Sequence, residues 1–125
     1  MAFSALINIL KRLISALEKS EQKAFDLKCL IAKDTDDISW ELVLFAPWLD
    51  SDETKRVSFL YENIISKLDS SVIIDFSGVI PIVKENDMVQ TLRGLRQSAS
   101  GKVILDNETI FQVNYDFAKM VIFLD

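Results

Sequence analysis

The chain has 125 residues, a length that suits one domain and leaves no room for a second of ordinary size. With half of its residues hydrophobic and only 3 Gly and 2 Pro, it has the composition of an ordered globular chain, which excludes a linker or a low-complexity tract. The formal net charge of -5 surrounds it with a potential that repels polyphosphate, so nucleic acid is excluded as a main ligand.

Mean hydropathy is +0.21, high enough to predict apolar surface left over for a partner once the core is filled. Charge is uneven along the chain. Residues 1–23 hold Lys11, Arg12, Lys19 and Lys23 against Glu18 and Glu21, so the acidity belongs to the remainder. A single cysteine, Cys29, rules out an intrachain disulfide and predicts a cytoplasmic setting. The apolar start lacks the basic region and cleavage site of a secretory signal, and no apolar run reaches the roughly 18 residues of a membrane span.

In chain order, Phe3, Leu6, Ile7, Leu10, Leu13, Ile14 and Leu17 share one helical face, which predicts an amphipathic helix over 2–19. From Ala24 to Lys33 the period becomes two, with Phe25, Leu27, Cys29 and Ile31 on one side and Asp26 and Lys28 on the other, a strand with one wet face. An acidic turn, Asp34 to Asp37, leads into a second strand over 38–46 that contains Trp40, Leu42 and Leu44. The two form a hairpin that Pro47 ends, because proline has no amide to give a ladder.

Asp50 and Glu53 have the spacing of a capping box, opening a helix to about Leu68 with Val57, Leu60, Tyr61, Ile64, Ile65 and Leu68 as its buried stripe. The run from Val72 to Val83 is apolar on both faces apart from Asp75 and Ser77 and predicts the centre of the sheet. Asp87 and Gln90 open a third helix to about Gln97, and Ser98 to Gly101 is the loop that ends it. Strands then follow over 102–105, 109–113 and 119–124. The expected fold is α+β: one domain over 1–125, a single mixed sheet of about five to six strands with three helices packed on it, in the order α-β-β-α-β-α-β-β-β.

Segment Ile73-Ile74-Asp75-Phe76-Ser77-Gly78-Val79, between two amphipathic helices, is similar to the middle of the sulfate-transporter and anti-sigma-factor-antagonist domains. That resemblance implies a phosphorylatable hydroxyl in the turn that follows. Here the stretch reads Ile80-Pro81-Ile82-Val83-Lys84-Glu85, with neither hydroxyl nor glycine, so no function is carried over.

Histidine is absent, which removes the commonest general base and transition-metal ligand and excludes a His-containing triad. There is no Cys-x-x-Cys pair and no glycine-rich phosphate loop, so neither a metal nor a nucleotide cofactor is expected. Asp34, Asp36 and Asp37 begin like a calcium loop but lack its glycine and read as a solvated turn. Cys29 reads as a core residue.

Three functional readings follow. The first is a non-catalytic interaction or regulatory domain, self-associating as a homodimer or bound to another protein, with Phe3, Leu6, Leu10, Leu13 and Trp48 as interface residues. The second is a carboxylate-based ligand or metal binder, or an enzyme, centred on Asp75 in a cleft shared with Asp50, Arg93 or Arg96. The third places the first helix on a membrane surface through Lys11 and Arg12, and is the weakest fit.

Overall fold

The computed structural model describes residues 3–98, 101–105 and 107–125, without the side chain of Phe3. Ala99, Ser100 and Asp106, parts of the expected loop and last hairpin turn, lie outside the described residues. The expected architecture is present: helix α1 (Phe3–Glu21), strands β1 (Leu27–Ala32) and β2 (Trp40–Phe45), helices α2 (Glu53–Asn63) and α3 (Ser70–Ile73), strand β3 (Phe76–Ile82), helix α4 (Asp87–Arg96), and strands β4 (Lys102–Leu105), β5 (Glu108–Gln112) and β6 (Met120–Phe123). One mixed sheet runs in the order β3-β2-β1-β6-β5-β4. Among the described residues, only β2 and β3 pair in parallel; the other ladders are antiparallel.

The alternation of β2 divides the core. Trp40, Leu42 and Leu44 face α1, α2 and α3, together with Leu6, Leu10, Ile14, Leu60 and Val72. Val43 and Phe45 point the other way, to α4, with Cys29, Val89, Leu92 and Leu95. Both faces of β1 are therefore covered. The wet face expected of β1 is corrected accordingly: Lys28 lies under α1, and its ammonium is paired 2.9 Å from the Glu18 carboxylate, so the charge is held at the rim while the stem packs.

The expected central strand over 72–83 is the largest correction. Asp69 accepts from the Ser71 amide at 3.0 Å and caps the short helix α3, which takes Val72 out of the strand. What remains is β3, at the edge of the sheet. An edge place suits Pro81, and β1 and β2, which have no proline, take the interior. An extra residue, Ser77, sits in β3 where the register shifts between Trp40 and Glu41.

The helix starts also move. The cap of α2 is Asp52, whose carboxylate accepts from the Lys55 amide at 3.0 Å, while Asp50 accepts from the Asp52 amide and shapes the turn before it. Helix α4 is capped by Asn86, which accepts from the Val89 amide at 2.9 Å. Helix α2 stops at Asn63 and is followed by a 3-10 turn over Ile65–Lys67. It buries Leu60 and half-buries Phe59 and leaves Val57 and Tyr61 in solvent, because the short helix meets the sheet along a narrower stripe than the spacing implied.

Candidate functional site

Among the expected interface residues, Leu6 and Leu10 are wholly buried against the chain's own sheet and Leu13 packs beside them. Leu6, Ile7, Leu10, Ile14 and Leu17 of the α1 stripe are thus covered within the chain, while the side chain of Phe3, the other interface residue expected on this helix, lies outside the described residues. No described helix is long and apolar enough to cross a membrane.

Trp48 closes one end of the α1-side core. Its ring lies 4.9 Å from Phe25 and edge-on to Phe59 at 6.3 Å, and its indole N–H donates to the Ala24 carbonyl at 2.9 Å. Lys23 sits over its outer face at 5.8 Å. Around it Glu21, Asp50, Lys55 and Phe59 line an open hollow of about 220 Å³, below the range of ordinary small-molecule sites and mixed in charge.

The carboxylates and arginines of the second reading are not assembled into one cleft. Asp75 lies in the turn before β3, where its carbonyl accepts from the Trp40 amide at the start of β2. Asp50 follows the far end of β2, so the six-residue strand, roughly 17 Å long, separates the two. Arg93 also lies at that far end, 5.3 Å above the Phe45 ring on the α4 face. Arg93 is paired with Glu85 and Arg96 with Asp125, and Arg96 stacks 5.4 Å from Phe123. Both arginines expected in that cleft thus have a carboxylate partner outside it. Asp75 keeps one shielded carboxylate oxygen, Oδ2, with no hydrogen-bond partner.

Cys29 is buried between β1 and α4, and burial pushes its thiol up to about 12, with Arg96 opposing weakly. At neutral pH it is a protonated core side chain. Among the described residues, no three or more of Cys, Asp and Glu are grouped to hold a metal.

Strand β4 lies where the sequence placed it; what sequence reasoning missed is its position at the edge of the sheet and its exposure. Val103, Ile104 and Leu105 are 36%, 75% and 54% exposed, and Lys102 is exposed as well. Among the described residues, none of the strand's side chains belongs to either core. Pairing with β5 places Lys102 opposite Phe111 and Val103 opposite Ile110, so Lys102 and Ile104 stand on the α4 face and Val103 and Leu105 on the α1 face. The Gly101 carbonyl accepts from the Gln112 amide at 2.8 Å, which fixes the phase of the ladder. The backbone groups of Val103 and Leu105 consequently turn to β5, and those of Lys102 and Ile104 turn outward to the open edge. The signal available in the sequence was Val103-Ile104-Leu105 itself, three apolar residues without the polar alternation of a strand covered on one face.

No family model matches this chain, and no curated protein or solved structure is significantly similar to it.

Proposed function

We propose that this protein works by contact rather than by catalysis, as a domain that accepts a β-strand along the open edge of β4. The observation that carries the reading is the exposure of Val103, Ile104 and Leu105 on a strand whose outer backbone groups are unpaired. An added strand would satisfy those donors and acceptors, and its side chains would cover the apolar ones on both faces. Transfer of an aliphatic side chain from water is favourable by roughly 1.5–3 kcal/mol when complete, so three such residues supply a useful driving force. The scattered acids and paired arginines favour this reading over the one centred on Asp75.

The test is residue-resolved hydrogen exchange with a blocked, soluble peptide of alternating valine and lysine as the probe strand. The amides of Lys102 and Ile104 are expected to exchange quickly in the free protein and to slow when the peptide is added, with no change along β3. Unchanged exchange at both residues with saturating peptide would contradict the reading.

A further inference from the structure

From the symmetry of the edge we infer that the strand it accepts is β4 of a second copy of this chain, paired antiparallel about a twofold axis through Ile104. This rests on the contact reading above and names its partner. Three observations lead to it: the free edge groups belong to Lys102 and Ile104, the exposed apolar residues lie on both faces, and the other edge of the sheet is blocked.

Residues directly opposite each other in an antiparallel ladder point to the same face. A twofold axis relating two such edges stands normal to the sheet and keeps each face on its own side, so it passes through a residue and not between two. Centred on Ile104, the pairing sets Ile104 against its own copy on the α4 face and Val103 against Leu105 on the α1 face. Every exposed apolar side chain of β4 then meets another. The Ile104 N–H and C=O, which point outward, exchange both hydrogen bonds across the axis. Centred on Val103, the pairing would set the Lys102 side chain against Ile104 and waste the most exposed apolar group.

The opposite edge cannot serve. In β3 the Ile82 carbonyl accepts from the Ala46 amide, which turns Pro81 outward, where it offers no donor. The extra residue Ser77 and the positive φ of Gly78, 147°, bend the same strand. Head-to-tail joining of β4 to β3 is therefore disfavoured, and the closed two-fold pair is the arrangement the edges allow. A four-residue edge buries well under the roughly 800 Å² per partner of a standard interface, so the pair is a weak, concentration-dependent dimer.

The experiment combines mass and cross-linking. The wild-type chain is expected to rise from 14.2 kDa towards twice that mass across a dilution series in light scattering. Ile104→Lys is expected to stay monomeric with an unchanged circular dichroism spectrum. Under mild oxidation Ile104→Cys is expected to form a covalent dimer, because a hydrogen-bonded antiparallel pair sets Cα atoms about 5.5 Å apart, within disulfide reach. Val103→Cys is expected not to, since its own copy lies one diagonal away. Buried Cys29 stays out of the reaction. Cross-linking of Val103→Cys in place of Ile104→Cys would overturn the register, and a dimer surviving Ile104→Lys without cross-linking would overturn the edge. A wild-type monomer at every concentration, with no cross-link from Ile104→Cys, would overturn self-pairing. In that case slowed exchange with the valine-lysine peptide would leave the contact reading standing, and unchanged exchange would remove both.

Discussion

The two edges of the sheet are built in opposite ways. Strand β3 carries a bulge, a proline with its missing donor outward, and half-buried side chains tucked against α2 and α3. Strand β4 carries three exposed aliphatic residues and outward backbone groups, and among the described residues none of its side chains belongs to either core. Unguarded flat edges are a hazard that natural sheets suppress, and this sheet suppresses one of its two. The contrast teaches that exposure of β4 is a local property of one edge and not a general looseness of the fold, whose strands β1, β2 and β6 contribute buried side chains to both faces.

The largest effect comes from breaking the guarded side. Trp40→Ala removes a wholly buried indole from the α1-side core at the start of β2 and is expected to cost about 3–5 kcal/mol in chemical denaturation. The same variant, where it remains folded, keeps the behaviour of the β4 edge.

A second perturbation acts at the centre. Cys29 titrates at about 12 in the folded chain and near 9.0 when unfolded, so between those values only the unfolded chain loses the proton. Stability is therefore full below pH 9 and falls as pH rises towards 12. Cys29→Ala, measured alongside, is expected to show a shallower fall.

Gly101→Ala acts at the open edge. Gly101 has φ +79° and a Cβ there would lie 2.8 Å from the Gln112 carbonyl oxygen, so substitution is expected to loosen β4 from β5. The cost is expected at about 1–3 kcal/mol, read as faster exchange of the Val103 and Leu105 amides. Pro81→Val restores the outward donor on β3 and is expected to change stability by less than about 1 kcal/mol while increasing association beyond the dimer, seen in light scattering. Smallest is Ile104→Lys, a surface change within about 0.5 kcal/mol for the monomer that removes association altogether.

Much of the fold was legible because period-two runs and helical stripes are local signals. The β1–β2 hairpin, the end at Pro47 and the final strands lie where alternation placed them. What escaped depends on tertiary competition. The run over 72–83 looks central by its apolarity, yet Asp69 turns its first residues into a helix and Pro81 confines the rest to an edge. The Asp50 and Asp87 caps were displaced by Asp52 and Asn86, because several nearby side chains can accept the same orphan amides and loop geometry selects one. Of the candidate residues, Trp48 lies on the surface near an open hollow, while Leu6 and Leu10 are enclosed, since an apolar helical stripe does not reveal whether its cover is the chain's own sheet or another surface. The β4 edge went unnoticed because strand order is set by pairing at long range.

The most direct measurement is hydrogen exchange at the Ile104 amide as protein concentration is raised. Self-pairing through β4 predicts that it slows, while the amides of β3 keep their rates. Fast exchange at Ile104 at every concentration, with the chain folded, would contradict it.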